Sequence, residues 1–205
     1  MIRTWIAGAC VVGLVHTIAY WWRVRRIRQA EDMRRRVTAQ GIVPGADSII
    51  CRGSSTHAAL LIHGFGDTPQ SMQLLAEYLC ATHGWTVHVP LLSGHGRTLA
   101  MYDAVTASAW KADVHREYAA LRATHPVVVL VGLSMGGALA TMEAAQHADL
   151  PALVLIAPYL TPPATAQRLA PLAGIINVLV PYLRGGDRVR SIFDPVARAE
   201  SLGAW

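Results

Sequence analysis

Residues 127–137, VVVLVGLSMGG, decide the fold. Val127–Val131 is an unbroken run of β-branched and leucine side chains, the mark of a central strand buried on both faces. Gly132-Leu133-Ser134-Met135-Gly136 follows at once with the form G-x-S-x-G, and a helix is predicted from about Met135 to Ala145. A sharp strand-to-helix turn of this kind holds its serine in a strained backbone conformation, and small residues two before and two after it avoid clashes. The side chain then projects above the sheet at the positive N-terminal end of the helix. Gly137 extends the small surface, and Ser134 is the candidate nucleophile.

The flanking chain alternates in the same way. Ala58–Ile62 reads as a short buried strand that ends in His63-Gly64-Phe65-Gly66. Thr68 and Pro69 signal a helix start, a capping hydroxyl followed by proline at the first helical position. Trp85–Pro90 is the next strand, leading into the glycine-punctuated loop Ser93-Gly94-His95-Gly96. Trp110, Val114, Tyr118 and Leu121 line one face of a helix, and Ala152–Ala157 is a further apolar strand. Strands alternating with helices imply a parallel α/β sheet. An oxyanion hole needs two backbone N–H groups aimed at the developing negative oxygen. Met135, directly after the serine, supplies one, and the N–H of Phe65 is the natural second donor, with Gly64 letting the backbone approach. His63 is expected to brace this loop through a hydrogen bond rather than to carry protons.

In this order HGFG, LLSGHGRT, Trp110 with Asp113, and GLSMGG resemble the carboxylesterase and monoacylglycerol lipase branch of the α/β-hydrolase superfamily, over residues 58–160 or so. The resemblance implies an α/β-hydrolase sheet and an acyl-forming nucleophile at Ser134. It implies an oxyanion hole at Phe65 and Met135, supported by His63, Gly64, Gly132 and Gly136, and bracing roles for His95, Trp110 and Asp113. It implies a small ester or lipid-like substrate, with no cofactor and no metal. An acyltransferase or a thioesterase would share every one of these motifs.

That resemblance also sets an order of serine, then Asp or Glu, then His. All nine histidines lie at or before His147. Asp187 and Asp194 are the only aspartates in the last 55 residues, and both read as loop or helix-cap positions. The expectation is a chain whose last strands, with the triad acid and base, are missing: a fragment of a longer esterase, inactive as it stands. The competing reading is a non-catalytic remnant that serves as a membrane-attached binding module. Residues 158–205 are read as a cap or lid segment and the start of a following helix. The apolar run Leu172–Leu183 is either an acyl-chain contact surface or ordinary packing.

Residues 4–22, TWIAGACVVGLVHTIAYWW, carry no formal charge and are nearly long enough for a hydrocarbon core of about 30 Å. Tyr20, Trp21 and Trp22 stand at one end, where amphipathic rings favour the headgroup level. The predicted organisation is a transmembrane anchor at 1–24, a basic linker at 25–47, a hydrolase core at 48–157 and the cap from 158. Seven arginines between 23 and 36, against Glu31 and Asp32, account for the whole net charge of +5. The other 191 residues therefore sum to zero, which sets aside a basic nucleic-acid-binding face. The same asymmetry predicts a single-pass protein with its hydrolase domain on the cytoplasmic side. Cys10, Cys51 and Cys80, odd in number and far apart, suggest neither a disulfide framework nor a metal site and fit a reducing compartment.

Overall fold

A computed structural model describes residues 2–34, 37–162 and 164–172 of the chain. They fall in two compact units, 2–34 with 164–172, and 37–162. In the first, helix α1 (Ile2–Arg34) runs unbroken through the apolar stretch and most of the arginine cluster. Among the described residues, no helix is long and apolar enough to cross a membrane. Leu14, Val15, Ile18, Trp21 and Trp22 are all exposed on α1.

The second unit is built on a five-stranded sheet. Strands β1 (Ile49–Cys51), β2 (His57–Ile62), β3 (Thr86–Val89), β4 (Val127–Leu133) and β5 (Leu153–Ile156) lie in the order β1-β3-β2-β4-β5. β2, β3, β4 and β5 pair in parallel, as their apolar runs predict, while β1 pairs antiparallel to β3 at the edge. The sheet is thus mostly rather than wholly parallel, and the short β1 is an addition to the sequence reading.

Alternation along the strands divides the core into two layers. Ala58, Leu60, Ile62, Val128 and Leu130 face one way and pack with Val114, Tyr118 and Leu121 of α4 (Ala107–Arg122) and with Leu139 and Ala140 of α5 (Met135–Ala144). Ala59, Leu61, Val87, Val89, Val129 and Val131 face the other way, onto Met72 and Ala76 of the segment that includes α2 (Gln73–His83). Helices on both sides hold β2 and β4 at the centre, and both strands end at the candidate site.

Three local readings are corrected. Pro69 opens a 3-10 turn, Pro69–Met72, before α2, and the Thr68 hydroxyl makes no capping bond. A short helix, α3 (Leu99–Asp103), interrupts the loop after β3, capped by the Thr98 hydroxyl on the N–H of Met101. The cysteines are not all unpaired: Cys51 of β1 and Cys80 of α2 form a disulfide, their Cα atoms 6.2 Å apart. The fold brings together two thiols whose separation of 29 residues carried no signal. Beyond β5, the described residues of the segment read as a cap hold α6 (Ala164–Leu169) and a 3-10 turn at Ala170–Leu172. Asp187, Asp194 and most of Leu172–Leu183 lie outside the described residues.

Candidate active site

Ser134 sits at the junction of β4 and α5 with φ 53° and ψ −116°. A β-carbon is costly there, and such conformations persist only where the surroundings enforce them. Four hydrogen bonds do so. The Ser134 N–H donates to the Ile156 carbonyl at 2.9 Å, and the Ser134 carbonyl accepts from Gly137, Ala138 and Tyr159. Close packing completes the turn. A Cβ on Gly136 would lie 2.6 Å from the His63 carbonyl oxygen and nearer still to that of Ile62, and one on Gly132 would meet the Gly137 Cα at 2.5 Å. Glycine at both positions lets α5 descend onto the ends of β2 and β4.

The same approach carries the HGFG loop to the serine. A Cβ on Gly64 would come within 3.4 Å of the Ser134 Cβ, so Gly64 and Ser134 are neighbours across the top of the sheet. Phe65, next along, is 64% exposed, with its ring edge-on to Tyr102 of α3 and to Trp110 of α4. Met135 begins α5. The sequence-predicted Ser134, Phe65, Met135, Gly64, Gly132 and Gly136 therefore fall on three adjoining segments: the β2 exit, the β4 exit and the first turn of α5.

His63 is fully buried, and both of its ring nitrogens are engaged. Nδ1 faces the Gly64 carbonyl at 3.0 Å and so must donate, while Nε2 accepts the N–H of Leu92 at 3.2 Å. Burial is the main cause that lowers its pKa to about 4, with the neighbouring His95 acting in the same direction. A neutral imidazole locked between two backbone groups ties the β2 loop to the β3 loop. His95 is also buried, and burial pushes its pKa below the usual histidine value. Its Nδ1 lies 3.3 Å from the Ser93 carbonyl, and its Nε2 has no hydrogen-bond partner. Its ring packs against His63, Tyr102 and Trp110. Among the described residues no hydrogen bond joins the Ser134 hydroxyl to a histidine.

Trp110 and Asp113 hold the loop after β3. The indole Nε1 donates to the Ser93 carbonyl at 2.9 Å, and an Asp113 oxygen accepts the Ser93 N–H at 2.8 Å. The other Asp113 oxygen is 3.0 Å from Arg116. A cleft of about 410 Å³ on this loop is lined by Leu91, Gly94, Arg97 and Met101 among others, and it does not include Ser134. Sequence reading missed α3 and its Tyr102, because five residues show no helical period.

Residues 59–205 match the model of the Alpha/beta hydrolase family. A thermostable monoacylglycerol lipase from Bacillus sp. (strain H-257) is 40% identical over 97 residues, 47% of this chain and 38% of that protein. A solved structure described under LipS and LipT, two metagenome-derived lipolytic enzymes, is 38% identical with a TM-score of 0.58, covering 63% of this chain and 53% of that one. The monoacylglycerol lipase of Paleococcus ferrophilus has a TM-score of 0.54 over 72% of this chain and 62% of its own, and at 19% identity the likeness is one of fold. The matched part of the chain spans less than two thirds of each relative's length.

Proposed function

Because the chain belongs to the alpha/beta hydrolase family, we propose that it is a serine ester hydrolase of the carboxylesterase and monoacylglycerol lipase kind, held at a membrane by its N-terminal helix. Ser134 Oγ attacks the ester carbonyl, the C–O bond to the alcohol breaks, and water then hydrolyses the acyl-enzyme. The N–H groups of Phe65 and Met135 receive the tetrahedral oxyanion. The observation that carries this reading is the strained, four-bond-pinned Ser134 beside Gly64 at the ends of β2 and β4. The exposed Phe65, Tyr159 and Leu160 suit an apolar acyl group, and the names of the relatives favour a lipid-like ester.

The triad acid and base are expected on further strand–helix units beside β5. Val154 and Ile156 of that strand are 45% and 38% exposed, and the relatives are longer than the matched chain. The 205-residue form should then be nearly inactive, because a serine hydroxyl without a base is a poor nucleophile. The absence of a histidine bonded to Ser134 among the described residues is also what favours the second reading, a membrane-attached binding module without catalysis. Hydrolysis of short p-nitrophenyl esters and fluorophosphonate labelling decide between them. The 205-residue form should match its Ser134→Ala variant, and a longer form with a later Asp and His should turn over and label at Ser134. An inactive long form would leave only the binding module.

The exposed aliphatic and indole side chains of α1 and the arginines that follow support membrane attachment with the hydrolase unit facing the cytoplasm. The Cys51–Cys80 bond pulls the other way, since disulfides persist mainly in oxidising compartments and cytosolic ones are usually transient. Alkylation of intact cells with a membrane-impermeant maleimide, before and after reduction, separates the two. Cysteines modified only after lysis would support the cytoplasmic side.

A further inference from the structure

On the α4–α5 face, away from the candidate nucleophile, three side chains converge without a role in the hydrolase reading. Glu143, near the C-terminal end of α5, is only 3% exposed. Its Oε1 lies 3.0 Å from Nδ1 of His115 on α4 and 2.7 Å from Nε2 of His147, three residues past the end of α5. All three donor atoms lie within 4.8 Å of one another. Among the described residues no lysine or arginine pairs with this carboxylate. Buried charges are normally paired or bound to a metal, and the partners of this carboxylate are two imidazoles, themselves common metal ligands.

We propose that His115, Glu143 and His147 form a divalent transition-metal site that clamps α4 to the end of α5. Two imidazoles and a carboxylate are the donor set of a borderline cation such as Zn²⁺, with ligand bonds of roughly 2.0–2.2 Å. Three such ligands around a tetrahedral ion stand roughly 3.3 Å apart. The two carboxylate contacts, 2.7 and 3.0 Å, open slightly to reach that spacing, and the imidazole nitrogens, which like all three donor atoms lie within 4.8 Å of one another, draw together, each turning a lone pair inward in place of an N–H. The positions are prepared. Glu143 lies in the last turn of α5 and His147 three residues beyond the helix end, where its N–H donates to the Ala144 carbonyl. The His147 ring rests on buried Tyr118 at 4.5 Å between centroids, and His115, its side chain 59% exposed, leaves a fourth position open to water. Ser134 lies nine residues back along α5, about 13 Å of helical rise, so the site is separate from ester chemistry and independent of that reading.

The full chain, purified in detergent and stripped with chelator, is titrated with Zn²⁺ alone, and with Co²⁺ for its visible d–d bands. One equivalent should bind. The melting temperature should rise by roughly 5–10 °C at a hundredfold excess over Kd. His115→Ala, an exposed position with little to lose in folding, should weaken binding by more than the roughly 10–100-fold typical of losing an outer-shell partner. His147→Ala should do the same, and His83→Ala, an exposed histidine elsewhere, should bind like the parent. Equal affinity in His115→Ala would overturn the site, marking the binding as scattered histidines. A parent chain that takes up no Zn²⁺ would overturn it too, leaving a hydrogen-bonded trio.

Discussion

Acidification should loosen this protein through His63, by an amount that can be worked out. The imidazole is buried and neutral, donating to Gly64 and accepting from Leu92, and its pKa lies near 4 against an ordinary 6.5. A histidine with a lower pKa folded than unfolded takes up its proton more readily once the chain opens. Its contribution is therefore complete above about pH 6.5 and is lost as the pH falls toward 4. The whole shift amounts to about 3 kcal/mol, most of which, about 2 kcal/mol, is lost between pH 7 and pH 4.5. Carboxylates and other histidines titrate in the same window, so the informative quantity is a difference. His63→Gln places an amide oxygen near the Nε2 position, keeps an acceptor for the Leu92 N–H and cannot titrate. Urea unfolding of both proteins, followed by tryptophan fluorescence, should find the parent's advantage at pH 7 shrinking by about that amount at pH 4.5. An advantage that stays constant with pH would refute the buried, doubly bonded neutral ring.

The glycine contacts predict that Gly136→Ala drives a methyl into the Ile62 and His63 carbonyls, and denaturant unfolding should show a cost of about 3 kcal/mol or more. At the elbow itself Ser134→Gly should raise stability by about 1–2 kcal/mol by relieving a positive φ, whereas Ser134→Ala should not; equal melting temperatures for the two would contradict the strain. The disulfide closes a loop of 29 residues, so reduction or Cys80→Ser should cost roughly 3.5 kcal/mol on the chain-entropy estimate. A midpoint unmoved by reductant would argue that the two thiols do not pair in solution. Deleting residues 1–24 should move the protein from the membrane pellet to the supernatant after carbonate washing, and a full chain that is soluble without detergent would count against the anchor.

What could be read in the sequence was whatever is local. β2, β4 and β5 announced themselves as short apolar runs, and Ser134 with its glycines forms a contiguous signature whose turn geometry demands small neighbours. β1 was invisible because Ile49, Ile50 and Cys51 are too few and too uniformly apolar for a period of two to show. Cys51 meets Cys80 only because β1 pairs with β3 while α2 packs beside them, and no spacing rule encodes that. His115 and Glu143 were equally silent, being 28 residues apart on separate helices. A bracing bond from His63 could be expected because the usual triad order places the base after the serine, but its acceptor bond to Leu92 required the β2 and β3 loops to meet in space.

The bonds that pin Ser134 also set an order of events during folding. Two of its partners, Ile156 and Tyr159, lie 22 and 25 residues downstream, and without them nothing from β5 opposes relaxation of a residue that disfavours its own backbone angles. The elbow should therefore close late, after β5 has docked on β4, and contacts of that separation form slowly. Substitutions at Ile156 should speed unfolding more than they slow folding, the kinetic mark of an interaction absent from the transition state. A nascent chain that has not yet exposed Tyr159 would carry the whole G-x-S-x-G motif in a relaxed turn, so the strained geometry at this serine is acquired after the strand that encodes it has already formed.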